Sequence, residues 1–386
     1  MTSTVEQTRE LGPDYIRWAI AHYGKVPFDL GSSGVASVGL DQLLTQLEGY
    51  EGPDLFGRAR ASIASLYSPD PSGMHAVDPN RVTLAFGASH ACILAMAGTL
   101  SSSLSQGDEA CVETPYYAPL LSAAASVGAR VTLFPRDPET YALDLDRVFD
   151  AITPRTKLVA VTNLHNPSGI RTPRAVLEEL ATRLLDRGIY LLVDEVYSPY
   201  DALEYPLPAP LEMPNVLVAS SLTKTLGLGN HRIGWLLTPA GERGHALRKH
   251  VDSHLFNTIG HYPGVYMKHV IDTIARLGEV KALSHFATGK ETLKRKRETV
   301  ARWMRTREDL HWSDPKEGVF GFARMKSGTD LRARIEQGFV KEEVIVGAGS
   351  FFGVPNGFRL SWVIEESKLA EGLTRLGSVL DHVEKA

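Results

Sequence analysis

From Val82 to Leu237 the chain alternates short β-prone apolar runs with helical patterns, and this alternation constrains the fold more than any other feature of its 386 residues. Val82–Phe86, Ala110–Glu113, Arg130–Phe134, Lys157–Thr162 and Ile189–Val193 read as strands, and Val216–Ala219 and Ile233–Leu237 are two further apolar runs. Helical patterns fall between them at ACILAMAGTL (91–100), Tyr117–Ala125, Leu145–Ile152 and Arg174–Arg187. Such an order predicts right-handed crossovers and an α/β unit with a mostly parallel sheet covered on both faces. In sheets of that kind ligands bind beyond the carboxyl ends of the strands.

The residues at those ends carry chemistry. Gly87, Ala88 and Ser89 follow the first strand and open a helix, which makes an anion site from backbone N–H groups and the helix dipole. Tyr116 and Tyr117 follow the second, HNPSG (165–169) the fourth and DEVY (194–197) the fifth. Val216–Ala219 runs into SSLTKTLGLGNHRIGW (220–235), where Lys224 enters a glycine-broken loop and Arg232 opens the next apolar run. Ser221 and Arg232 suit a phosphate, one as a donor and the other as a bidentate fork. A lysine beside an anion site is an imine-forming amine in waiting. A phosphate cradle, a stacking ring, donors for a ring oxygen, a carboxylate for a ring nitrogen and an amine for a carbonyl together predict pyridoxal 5′-phosphate. Asp194 ends the most apolar strand and is the candidate for the ring nitrogen, whose protonated form it would stabilise by charge. Glu195 is expected to point elsewhere.

The chain is similar to fold-type I pyridoxal-phosphate enzymes of the class I/II aminotransferase (aspartate aminotransferase-like) superfamily. The resemblance runs from about Tyr50 to the C-terminus and rests on the order aromatic, NPSG, DEVY, SxTK and arginine. It implies that Lys224 holds the cofactor carbonyl and takes the α-proton, and that Asp194 partners the ring nitrogen. Asn166 and Tyr197 would donate to the ring oxygen, and Tyr117 would stack on the ring. Ala88, Ser89, Ser221 and Arg232, beside Gly87, resemble the phosphate ligands. Tyr50 resembles a tyrosine that reaches the phosphate of the other subunit, which implies a homodimer with composite sites. Arg359 in FRLSW (358–362) matches the arginine that grips a substrate α-carboxylate, with Asn166 and Gly34 beside it. GSSGV (31–35), TNLHNPSG (162–169) and SLTKTLGLGNHRIGWL (221–236) look closest to the capreomycidine synthase-like branch of secondary metabolism.

The remaining chain frames this site. Tyr15, Trp18, Ala19, Ile20 and Tyr23 form a helical pattern suited to an arm, and DLGSSG (29–34) is a turn or loop. Beyond Trp235 come helices near 240–253 and 264–277, a charged helical stretch at 287–307, and strands at Val319–Arg324 and Phe358–Val363. A helix near 329–338 and a closing C-terminal helix complete an α+β unit. The expected division is an arm and part of a small domain (1–45), a large cofactor-binding domain (46–275) and a C-terminal small domain (276–386). With 41 basic and 45 acidic side chains the net charge is −4, which gives no electrostatic case for nucleic acid or an anionic membrane. Cys92 and Cys111 lie in apolar runs and read as buried free thiols of a cytoplasmic protein. No metal site is expected. The chemistry expected is transamination of an α-amino acid, with elimination or ring closure as the alternative use of the same Cα carbanion. A cofactor-sensing transcription regulator is disfavoured, because the residues before Tyr50 show no basic helix-turn-helix pattern. His165, Tyr15, Tyr200, His254 and Phe256 are further candidates to line the pocket, and His165 is the candidate acid for a leaving group.

Overall fold

The computed structural model describes residues 14–34, 54–67, 77–100, 107–197, 209–224, 226–277 and 289–381. A first stretch holds α1 (Asp14–His22), β1 (Phe28–Asp29) and α2 (Leu55–Ser65). The alternating region follows as β2 (Val82–Phe86), α3 (Ala88–Leu100), β3 (Glu109–Thr114), α4 (Ala118–Ser126), β4 (Arg130–Pro135) and α5 (Leu145–Ala151). It continues with β5 (Thr156–Thr162), α6 (Arg174–Leu185), β6 (Tyr190–Asp194), β7 (Val216–Ser221) and β8 (Ile233–Leu237).

These seven strands form one sheet in the order β2-β8-β7-β6-β5-β3-β4. Neighbours pair in parallel except at β8, which is antiparallel to both β2 and β7. The reason is local. Only residues 222–232 separate β7 from β8, too few for a helical crossover, so the chain turns back. Every residue of β7 and of β8 is buried, as expected for strands covered on both faces. The cover on one side includes α3, which is apolar nearly all round and packs on α4 and on α7 (Gly241–Ile259). Gly98 permits that approach: a Cβ there would sit 2.6 Å from Val251 Cγ2.

The second unit has its own core, built from Tyr15, Trp18, Phe322, Phe352, Phe358 and Trp362 among others. After α8 (Gly264–Ala275) come α9 (Gly289–Arg305), β9 (Leu310–Trp312), β10 (Phe320–Met325), α10 (Arg332–Lys341), β11 (Val344–Ile345), β12 (Gly347–Ala348), β13 (Gly357–Ser361) and α11 (Glu366–Asp381). Four strands make an antiparallel sheet, β12-β13-β10-β9, while β1 pairs in parallel with β11 and ties the N-terminal stretch to this unit. Helix α7 runs six residues past the expected end at 253 (259 − 253), and α10 starts three residues later than expected (332 − 329). The edge strand β9, only three residues long, gave no periodic signal. Charges of α9 reach neighbouring elements, with Arg295 3.1 Å from Glu366 and Arg297 3.4 Å from Asp314. Among the described residues no helix is long and apolar enough to cross a membrane.

Candidate active site

β2, β7, β6, β5 and β3 all end at the same edge of the sheet, and a cavity of about 600 Å³ lies there. Ser89, Tyr117, Asn166, Asp194 and Lys224, one from each strand end, stand on its wall, with Arg232 from the start of β8. The antiparallel turn at β8 is what brings Arg232 to this edge.

One end of the cavity is built for an anion. Gly87 has φ +83°, and a Cβ there would lie 2.4 Å from Arg232 Nη2, so only glycine lets the guanidinium reach the opening of α3. Arg232 itself sits in the left-handed region at φ 53° and donates from Nη2 to the Phe86 carbonyl at 2.9 Å. Ala88 and Ser89 begin α3 and face the cavity. Ser221 does not reach its wall: its hydroxyl is fully buried, 2.7 Å from Thr223 Oγ1, and Thr223 takes the wall position. The SxTK stretch contains both hydroxyls, and spacing alone could not say which one faces inward.

The same cavity holds the carboxylate and the amine. Asp194 is buried, its Oδ1 accepts from the Val196 N–H at 3.0 Å, and its Oδ2 meets the Cys92 thiol at 3.9 Å. Burial, reinforced by the Glu113 charge, pushes its carboxyl up to about 6, against the opposing Val196 N–H bond. Burial also presses Lys224 down to about 8, helped by the Arg359 and Arg232 charges. Both shifts favour the neutral forms. Glu195 lies away from the cavity, its Oε1 accepting from the Ala209 N–H at 2.9 Å, and burial pushes it up to about 8.

A second cavity of about 410 Å³ shares Lys224, Tyr117, Tyr197, Thr223 and Arg232 with the first and extends to α1. Tyr15, Ile16, Ala19, Ile20 and Tyr23 supply that side, and Gly34 sits on Lys224, with a Cβ position 3.6 Å from its Cδ. The GSSG loop thus lines this cavity, where the resemblance had placed Gly34, while the residues alone read only as a turn or loop. Arg359 lies behind both cavities and is fully buried. Its Nη1 donates to Asn166 Oδ1 at 2.9 Å, and its Nη2 donates to Tyr15 Oη at 2.5 Å and to the Gly31 carbonyl at 3.2 Å. The rings of Tyr15, Phe320 and Phe352 surround the guanidinium at 5.1–5.5 Å.

His165 corrects an expectation. It is fully buried, its Nδ1 accepts from the Ser168 hydroxyl at 2.6 Å and its Nε2 donates to the Pro115 carbonyl at 2.9 Å. Burial and the Arg136 charge hold it well below the usual histidine range, so it is a neutral structural link without access to either cavity. His254 and Phe256 lie on α7 and line neither cavity. Tyr50 and Tyr200 fall outside the described residues. Thr162, Thr223 and Ser33 were not foreseen: Thr162 is the last residue of β5, Thr223 stands beside Lys224 after β7, and Ser33 is brought in by the GSSG loop.

Comparison with known proteins adds a family and a fold. The family described as "Aminotransferase class I and II" matches residues 39–376. The chain is 26% identical over 379 residues to capreomycidine synthase of Streptomyces vinaceus, covering 94% of this chain and 92% of that one. It is 28% identical over 310 residues to arginine–pyruvate transaminase AruH of Pseudomonas aeruginosa, covering 78% and 75%. Among solved structures, the PLP-dependent cyclase OrfR shares the fold with a TM-score of 0.76 at 22% identity, covering 98% of this chain and 99% of that chain.

Proposed function

The chain belongs to the aminotransferase class I and II family and takes pyridoxal 5′-phosphate as its cofactor, and from that premise we propose that it transfers the amino group of an α-amino acid with a neutral side chain. The observation that carries this reading is the pairing of Lys224 and Asp194 on one cavity, with Arg359 and Asn166 joined behind it.

The residues fit the cofactor. The Gly87–Arg232 contact at the start of α3 suits a phosphate, and Asp194 Oδ2, whose hydrogen-bond partner among the described residues is a thiol at 3.9 Å, suits a protonated ring nitrogen. When bound, pyridoxal 5′-phosphate supplies a carbonyl for amine capture and a ring that accepts the electron pair left at the substrate Cα. The chain supplies the rest. Lys224, pressed toward its neutral form, would take the proton from the substrate Cα. Asp194 keeps the ring nitrogen protonated. Tyr197 and Asn166 donate to the ring oxygen, Tyr117 stacks, and Ala88, Ser89 and Arg232 hold the phosphate. Arg359 holds the α-carboxylate and orients the Cα–H bond.

A neutral side chain is the reading favoured by the second cavity, where Ile16, Ala19 and Ile20 form an apolar wall and, among the described residues, the cations lining it are Lys224 and Arg232. A dicarboxylate would need another. The unit we propose is a homodimer in which Tyr50 of each subunit completes the other's phosphate site. A lyase or cyclase reaction is the second reading, favoured by the 26% identity to capreomycidine synthase across 94% of the chain. Single-turnover analysis separates the two. Transamination leaves one 2-oxo acid per active site, with the amino group retained by the enzyme until an acceptor is added. Ammonia release, or nitrogen held in a ring product, refutes it.

A further inference from the structure

Ser33 lies on the GSSG loop, 164 residues away in sequence from the phenol it meets. The Tyr197 hydroxyl donates to Ser33 Oγ at 2.9 Å. Both residues are buried, and the Tyr197 ring is fixed edge-on against Phe320 at 4.7 Å. The phenol oxygen is therefore held in place, and only its hydrogen can turn. The serine is held equally firmly. Asp29 Oδ1 accepts from the Gly31 and Ser32 N–H groups, both at 2.9 Å, and its Oδ2 accepts from Gly24 N–H and Ser32 Oγ at 2.6 Å. The Gly31 carbonyl accepts from Arg359 at 3.2 Å, so the same loop is tied to the guanidinium.

A phenol has a single hydrogen. If Tyr197 gives it to the cofactor ring oxygen, it can no longer give it to Ser33. The serine hydroxyl can then turn its own hydrogen onto the phenol oxygen across the same 2.9 Å contact. A hydroxyl that accepts a hydrogen bond becomes a better donor, because chains of hydrogen bonds polarise one another.

We propose that Ser33 is a positioning residue that acts through Tyr197, forming a hydroxyl relay Ser33–Tyr197–ring oxygen that strengthens the donation to the cofactor. The proposal rests on the cofactor reading given above. It is independent of whether the substrate is transaminated or cyclised. Burial raises the Tyr197 phenol above its usual range, and the Ser33 contact works in the opposite direction, as the relay requires. The other titratable or charged groups that act on this phenol include Arg359, Tyr15, Asp194 and Tyr117, and a change at Ser33 removes none of them.

The test is a pH titration of the visible absorption of the bound cofactor. Donation to the ring oxygen stabilises its anionic form and lowers the pH at which the chromophore loses its proton. Ser33→Ala should therefore raise the midpoint by roughly 0.3–1 pH unit, the size of one neutral hydrogen bond. Ser33→Thr, which keeps the hydroxyl, should restore it. In a Tyr197→Phe background Ser33→Ala should shift nothing further. If Ser33→Ala does not fold, Ser33→Cys, with its weaker donor, carries the same comparison. A protein that shows the band but no shift in the single variant overturns the relay, as does an equal shift in the Phe background. A protein that never develops the band overturns the cofactor reading instead, so the two failures are distinct.

Discussion

Asp194→Asn should flatten the pH dependence of the cofactor-free protein's stability and slow the loaded enzyme. Burial raises the Asp194 carboxyl from 3.8 to about 6. Because the folded state binds the proton more tightly than the unfolded one, the associated stability is complete below the unfolded value of 3.8 and is lost as pH rises through about 6. A rise of that size corresponds to roughly 2 kcal/mol lost between pH 4 and 7. The amide cannot ionise, so it escapes this loss. It also carries a constant penalty of about 1–3 kcal/mol, since its NH2 would face the Cys92 thiol, a poor acceptor. The robust quantity is therefore the change with pH. The stability of the variant relative to the parent should improve by roughly 2 kcal/mol from pH 4 to 7, read as a few degrees in Tm of the cofactor-free proteins. The loaded variant should lose roughly 10- to 100-fold in turnover, as expected for replacing a charge-assisted hydrogen bond of about 1.5–3 kcal/mol. Parallel stability curves for the two cofactor-free proteins, or near-normal turnover of the variant, would refute the reasoning.

Borohydride reduction should fix the cofactor to the peptide bearing Lys224, and capture by cofactor-free protein should speed up with pH and level off above about 8, where the amine is neutral. Label on another lysine, or a rate independent of pH, contradicts the assignment. Arg359→Ala should weaken α-amino acid binding by about 2–5 kcal/mol while affecting amines without a carboxylate far less; equal losses for both would make Arg359 structural. Mixing a Tyr50 variant with a Lys224 variant should restore part of the activity, since one of the two sites in the heterodimer is then intact, and a fully active monomer would rule out the composite site.

The large unit was legible because its strands announce themselves. Val216–Ser221 is buried throughout and Tyr190–Asp194 is buried but for half-buried Tyr190, and both contain apolar runs that read as strands. The antiparallel turn at β8 was not read, because its cause lies in a spacing of eleven residues rather than in any residue type. β9 was missed because three residues cannot display a period.

The same physics divides the site into a legible and an illegible half. Ser89, Tyr117, Asn166, Asp194 and Lys224 stand within a few residues of a strand end, so finding the strand finds the residue. The substrate side is assembled differently. Arg359 reaches Tyr15 across 344 residues and Gly31 across 328, and Tyr197 reaches Ser33 across 164. The helical pattern around Tyr15 and the turn around Ser33 do not show which groups they reach, because what aims them is β1 pairing with β11 and the packing of α1 into the second core. His165 shows the converse: adjacency to Asn166 in sequence suggested a pocket role, yet its ring turns back to Ser168 and Pro115. The cofactor end is fixed by one sheet, whereas the substrate end is fixed by contacts between two cores. Changes at Ala19 or Ile20 of α1 can therefore alter what the second cavity admits while leaving the strand ends around the first cavity untouched.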